Sequence, residues 1–268
     1  MKLTILGSGT SSGVPQMGCQ CEVCQSNDPH DKRLRCASLI ETDTTRVLID
    51  SGPDIRQQLM PFDFKPLDGI LITHIHYDHV GGIDDLRGFC QFGDLHIYAN
   101  NQTAEGLKQT MPYCFGEKLY PGVPLLKLHT IAPHQQFNIG NIAITPIEVM
   151  HGQMPILGYV FNEIVSNNKA DGKITAPQLV YITDMKTIAD EELSFLYDTD
   201  TLIINALRFG HNHHSHQNAE EACEFAAKIR AKRAFIVHLS HGIGLHKNSK
   251  KLLPDNISLA YDRQTIDL

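Results

Sequence analysis

Short apolar runs, rich in β-branched residues and broken by Gly, Pro, Asn and Asp, recur along the whole chain and predict strands. The first spans Lys2 to Leu6 and empties into the polar turn Gly7-Ser8-Gly9-Thr10-Ser11-Ser12-Gly13. No Gly-Lys-Ser/Thr follows it, so this is not a phosphate loop of the Walker kind. Ala37–Thr42 and Arg46–Ile49 predict a hairpin with Asp43-Thr44-Thr45 at the turn. Further strands are expected at Ile70–Ile72, Leu125–Leu128, Ile142–Val149, Leu157–Ile164, Leu179–Ile182, Leu202–Ile204, Ala234–Val237 and Ile257–Ala260, with a polar hairpin tip at Ser166–Gly172. Short helices are expected at Asp54–Met60, Val80–Phe89 and Thr103–Thr110. Helical spacing is clearest over Gln217–Ala231, where Ala219, Ala222, Phe225, Ala226 and Ile229 share one face. Strands dominate both halves, and no linker or short-period repeat divides them. The expected architecture is one layered α/β domain over residues 1–268, with helices outside packed sheets.

The 268 residues can bury a full core, and a composition 42% hydrophobic and 20% charged is ordinary for a globular chain. A formal charge of -7 argues against a general nucleic-acid binder. The apolar part of the N-terminus is too short for a signal peptide, and no apolar run approaches the roughly 18 residues of a membrane helix. A cytoplasmic protein without a membrane partner is expected. Seven Cys, three of them crowded, fit a reduced compartment and metal binding better than a disulfide framework.

That chemistry concentrates in His74-Ile75-His76-Tyr77-Asp78-His79, directly after an apolar strand. Imidazole and carboxylate together suit divalent transition metals, and this density invites a two-metal site. Further ligands should lie at strand ends. Asp50, His151, Asp184 and His238 each follow an apolar run. His151 would join His74 and His76 on one ion. His238 would join Asp78 and His79 on the other, and Asp184 can bridge the pair. Asp50 would orient a ligating histidine from behind. His241 should not share the ion of His238 if the segment is still extended there. It is assigned instead as fourth ligand to Cys19, Cys21 and Cys24, a C-x-C-x2-C knuckle suited to a structural zinc. Cys36, Cys90, Cys114 and Cys223 lack ligand spacing and are expected to pack as small hydrophobes. Within His211-Asn212-His213-His214-Ser215-His216, His216 is closest to a helix start. It is the candidate to protonate a leaving oxygen, with a pKa near neutrality. Arg208 is a candidate contact for an anionic substrate.

These residues resemble the metallo-β-lactamase superfamily of metallohydrolases. Asp50, the His74–His79 motif, His151, Asp184 and His238 match its ligand order along nearly the whole chain. The resemblance implies a four-layer αββα sandwich. The Cys19–Cys24 knuckle with His238-Leu239-Ser240-His241 is similar to the cyclic phosphodiesterases of the carbon–phosphorus lyase pathway. That likeness implies two divalent ions (zinc or manganese), a structural zinc, a general acid at His216 and a possible homodimer. His211, His213, His214 and the insertion-like Asn167–Lys173 depart from the motif. The expected function is hydrolysis of a small or cyclic phosphodiester by a metal-activated hydroxide. The alternatives are a tRNA 3′-processing endonuclease, a pyrroloquinoline quinone biosynthesis protein and a non-catalytic metal-binding protein. Two basic clusters, Lys228-Arg230-Lys232-Arg233 and Lys247-Lys250-Lys251, bear on the first of these.

Overall fold

The computed structural model describes residues 1–116, 121–164 and 176–268. The expected hairpin tip at 166–172 and the insertion at 167–173 lie outside the described residues. Strands β1 (Lys2–Gly7), β2 (Ala37–Glu41), β3 (Arg46–Ile49), β4 (Gly69–Leu71), β5 (Leu95–Ala99) and β6 (Leu126–Thr130) form one sheet. Strands β7 (Phe137–Ile139), β8 (Ile142–His151), β9 (Met154–Glu163), β10 (Leu179–Tyr181), β11 (Thr201–Asn205), β12 (Arg233–Val237) and β13 (Ile257–Leu259) form the second. Strand β14 (Thr265–Asp267) returns to pair with β1. Among the described residues each sheet therefore has seven strands, in the orders β14-β1-β2-β3-β4-β5-β6 and β13-β12-β11-β10-β9-β8-β7.

Period-two alternation splits the apolar residues into layers. Leu3, Ile49, Leu71, Tyr159, Phe161, Tyr181, Ile203 and Val237 pack together between the sheets. Their neighbours Leu48, Ile70 and Ile97 point the other way, under Leu86 and Leu107. On the opposite flank Val160, Val180, Ile204 and Ile236 meet Ala219, Ala222, Phe225 and Ala226. Strands covered on both faces read as unbroken apolar runs, which is why they were legible. The result is the expected αββα sandwich.

The helices are α1 (Glu22–Gln25), α2 (Ile55–Leu59), α3 (Tyr77–Val80), α4 (Asn101–Thr110) and α5 (Ala219–Lys228). Helix α5 starts at a capping box, Asn218 with Glu221, that satisfies backbone donors at its first turn. The expected helix at Val80–Phe89 is instead the short α3 followed by a 3-10 segment over Ile83–Phe92. Its apolar residues Ile83, Leu86, Phe89 and Phe92 recur every third position, the period of a 3-10 turn. Cys36 and Cys114 are buried, and Cys90 and Cys223 pack against the core, as expected of small hydrophobes. Among the described residues no helix is long and apolar enough to cross a membrane.

Candidate metal centre

Strand direction brings the candidate residues together. β3 and β4 are parallel neighbours in one sheet; β10, β11 and β12 are parallel neighbours in the other. Parallel strands deliver their C-terminal ends to one edge, where loops can converge. Asp50 follows β3, Thr73 to His79 follow β4, Asp184 follows β10, the 206–216 loop follows β11, and His238 follows β12. His151 closes β8. Asp50, Asp184 and His238 have φ of 61°, 58° and 56°. Left-handed backbone at a residue with a Cβ costs of order 1–3 kcal/mol and persists where surrounding structure enforces it. The backbone at His238 is therefore left-handed rather than extended, and His238 and His241 still join different clusters.

Three overlapping groups have donor atoms within 4.8 Å of one another: His74, His76 and His151; Asp78, His79, Asp184 and His238; and His151, Asp184 and His216. Shared members make them one centre. Asp184 Oδ2 lies 3.3 Å from His79 Nε2, and its Oδ1 lies 3.1 Å from His238 Nε2 and 3.6 Å from His216 Nδ1. Asp78 Oδ2 lies 3.2 Å from His79 Nε2 and 3.5 Å from His238 Nε2.

Hydrogen bonds hold one ring nitrogen of several imidazoles and leave the other facing the cluster. His79 Nδ1 donates to Asp50 Oδ2 at 2.7 Å. Thr73 bonds Asp50 through its N–H at 2.8 Å and through its hydroxyl, which also lies 3.0 Å from His74 Nδ1. His151 Nδ1 donates to the Ser215 carbonyl at 2.9 Å. Among the described residues, His74 Nε2, His79 Nε2 and both nitrogens of His238 are buried without a hydrogen-bond partner. Leaving such a group unsatisfied costs roughly 1–3 kcal/mol. Orphaned nitrogens aimed at carboxylates make a donor set that fits divalent cations.

The electrostatics of these side chains follow from burial and from one another's charges. Burial works against a charged His79, but Asp184, Asp50 and Asp78 together outweigh it and raise its pKa well above the ordinary value. Burial would also raise Asp184, yet His238 and His79 hold it well below the usual carboxylate range. His74 is driven well below its normal pKa by burial, then by the charge of His79. Burial pushes His216 down to about 3 against the pull of Asp184, which corrects the expectation of a near-neutral imidazole. A protein interior that solvates the imidazolium poorly is the reason.

The Cys knuckle forms apart from this centre. Cys19 Sγ and Cys21 Sγ each lie 3.3 Å from His241 Nδ1, and Cys24 completes a group within 4.8 Å. Cys21 caps α1 and accepts from Cys24 N–H; that bond, then His241, lowers its pKa to about 6. Burial raises Cys24 to about 11. Val14, Val23, Cys24 and Leu245 form a small satellite core around it. Three sulfurs and one imidazole are the donors of a closed structural site.

Arg208 is partly buried at the start of the histidine loop; His211 and His214 are exposed, and the His213 ring centroid lies 5.2 Å from that of His216. Sequence reasoning missed Thr73, Ser215 and Thr183, whose hydroxyl donates to Asp184 Oδ2 at 2.6 Å. The available signal was a Thr at the C-terminal end of each of two apolar strands, immediately before a candidate ligand.

A family profile described as a beta-lactamase superfamily domain matches residues 45–239. The crystal structure of a new diphosphatase from the PhnP family superposes with TM-score 0.86 at 33% identity, covering 100% of this chain and 97% of that one. An octanoyltransferase of Porphyromonas gingivalis (strain ATCC BAA-308 / W83) is 41% identical over 263 residues, 98% of this chain but 50% of that protein. The chain thus spans half the length of that relative. The Zn(2+)-bound PqqB from Methylobacterium extorquens shares the fold, with TM-score 0.79, 20% identity and 100% coverage of both chains.

Proposed function

Because the chain belongs to the metallo-β-lactamase superfamily, and within it to the PhnP family, we propose that it is a dinuclear-metal hydrolase of a small or cyclic phosphodiester. The observation that carries this reading is Asp184, whose two oxygens face His79 and His238 at 3.3 and 3.1 Å while both imidazole Nε2 atoms lack hydrogen-bond partners among the described residues. His74, His76 and His151 would hold one zinc or manganese ion, Asp78, His79 and His238 the other, with Asp184 between them. When bound, such a pair supplies Lewis acidity toward a phosphoryl oxygen and lowers the pKa of water toward neutrality. Asp50 keeps His79 in the tautomer whose Nε2 faces the centre. Thr73 braces Asp50, and Thr183 braces Asp184.

His216 would give a proton to the departing oxygen. With its pKa pushed down to about 3 by burial, it does not hold that proton at neutral pH unaided. An anionic phosphodiester beside the ring favours the imidazolium and so brings the acid into play with the substrate. The Cys19, Cys21, Cys24 and His241 cluster would hold a structural zinc and tie the N-terminal loop to the end of β12.

The rival readings draw less support. Of the first basic cluster, Lys228 pairs with Asp190 at 3.1 Å, Arg230 with Asp198 at 2.7 Å and Lys232 with Asp200, so its charge is largely answered within the chain. Phosphate backbones need free cations, which weighs against tRNA binding at that cluster. The octanoyltransferase name belongs to a protein of which this chain matches half. An octanoyl group requires an apolar pocket, whereas imidazoles and carboxylates converge here. A purely structural role would leave the His216 arrangement without a use.

The test is metal analysis of protein purified without added metals, together with turnover on a panel of cyclic and linear phosphodiesters. Metal-dependent cleavage of at least one diester is expected. Full metal occupancy with no cleavage across the panel would overturn the reading.

A further inference from the structure

Behind Asp184 lies a buried thiol that takes no direct part in hydrolysis. Cys36 stands one residue before β2, Tyr181 ends β10, and Thr183 follows Tyr181 by two. Side chains two apart on a strand share a face. Cys36 and Ser38 therefore meet Tyr181 and Thr183 across the layer between the sheets. None of these four, nor Asp184, exposes more than 2% of its surface. Polar atoms in so dry a layer hold only the partners that the fold gives them.

The groups form one unbroken file. Ser38 Oγ donates to Tyr181 Oη at 3.4 Å, and Tyr181 Oη lies 3.5 Å from Cys36 Sγ. Cys36 Sγ lies 3.8 Å from Thr183 Oγ1, and Thr183 Oγ1 donates to Asp184 Oδ2 at 2.6 Å. Counting protons gives the file a direction. An ionised Asp184 only accepts, so the single hydroxyl proton of Thr183 goes to that nearer, charged oxygen. Thr183 Oγ1 then offers Cys36 only lone pairs, and the thiol is the donor between them. Burial pushes that thiol up to about 12, so its proton is there to give. Tyr181, also raised well above its ordinary range by burial, accepts from Ser38 and donates to the sulfur. Hydrogen bonds in series polarise one another where no water intervenes. Thr183 also carries a methyl on the same carbon, and a turn to another rotamer would set the methyl or Cβ hydrogen against Asp184. The thiol favours the rotamer that keeps the hydroxyl there.

We propose that Cys36 is a positioning residue for the metal centre: its thiol holds the Thr183 hydroxyl on Asp184 and so fixes that carboxylate in the orientation two cations can share. This rests on the metal reading of Asp184 and is independent of the substrate.

The experiment measures zinc affinity at the centre by competition with a chelator, with the zinc of the Cys knuckle as internal reference. It compares the wild type, Cys36→Ala, Cys36→Ser, Thr183→Val and the double variant Cys36→Ala/Thr183→Val. Cys36→Ser keeps a donor and should bind within about twofold of wild type, whereas Cys36→Ala should bind about three- to tenfold more weakly, the loss of one buried hydrogen bond. A side chain that served only as a small hydrophobe would show no such rescue, because a buried hydroxyl is harder to accommodate than a methyl. In the Thr183→Val background the Cys36→Ala change should cost nothing further, since the link it works through is gone. Equal affinity in wild type and Cys36→Ala, Cys36→Ser no better than Cys36→Ala, or an undiminished Cys36→Ala loss in the Thr183→Val background would overturn the role. A wild type that takes up zinc at the knuckle alone would overturn the metal reading of Asp184, and this role with it.

Discussion

The two ligand clusters are built in opposite ways. The His/Asp centre hangs on the ends of strands whose apolar residues, such as Ile49, Leu71 and Val237, are fully buried. Its carboxylates and imidazoles are braced by Asp50, Thr73 and Thr183 before any ion arrives. The Cys knuckle rests on a four-residue helix and a satellite core of Val14, Val23, Cys24 and Leu245. Its donors cross from the N-terminal loop to His241. One cluster is a product of the fold; the other is a staple that an ion would close.

The largest effect that separates them is catalytic. His216→Ala should lower kcat on an unactivated diester by about 10²–10⁴-fold and by less on a 4-nitrophenyl ester, whose leaving group needs no proton. Metal content at both clusters should stay unchanged. Full turnover on the unactivated diester by the loaded variant would remove His216 from the account.

Stability separates the clusters next. Ile49→Ala, beneath Asp50, should cost about 2–5 kcal/mol in denaturant unfolding, because it opens a cavity in a packed layer. Val23→Ala sits in a satellite that can collapse and should cost about 1 kcal/mol. Equal losses would mean that the knuckle is as integral to the core as the centre.

Much of this organisation was legible. The His74–His79 motif announced itself because it follows an unbroken apolar run, and strands covered on both faces produced that run. The face of α5 was legible because Ala219, Ala222, Phe225 and Ala226 are all buried at helical spacing. Strand β5 was overlooked although Leu95, Ile97 and Ala99 alternate with His96 and Tyr98. Those polar and aromatic rings stack on His129 across the β5–β6 ladder, so the partner that explains them lies far along the chain. Left-handed turns at Asp50, Asp184 and His238 were beyond reading, since only the packed structure over-determines them. The low pKa of His216 likewise depends on burial that no local pattern reports.

Two smaller effects sharpen the contrast further. Asp50→Asn should weaken active-centre metal binding about 10–100-fold while leaving the knuckle's metal in place, as read by competition with a chelator. Simultaneous loss from both clusters would show that they are coupled through β12. Stripping all metal should raise amide exchange in residues 14–36 by roughly tenfold or more through local opening, with β3, β4 and β10 unchanged. Uniform deprotection would contradict a core that stands without ions.

The central claim is that Asp184 is shared by two cations. Anomalous diffraction from crystals of the metal-loaded protein, recorded at the zinc and manganese edges, tests it most directly. The account predicts two peaks flanking Asp184, one toward His74, His76 and His151 and one toward Asp78, His79 and His238, with a third at the Cys knuckle. A single peak at the centre, or two peaks with Asp184 bound to neither, would contradict it.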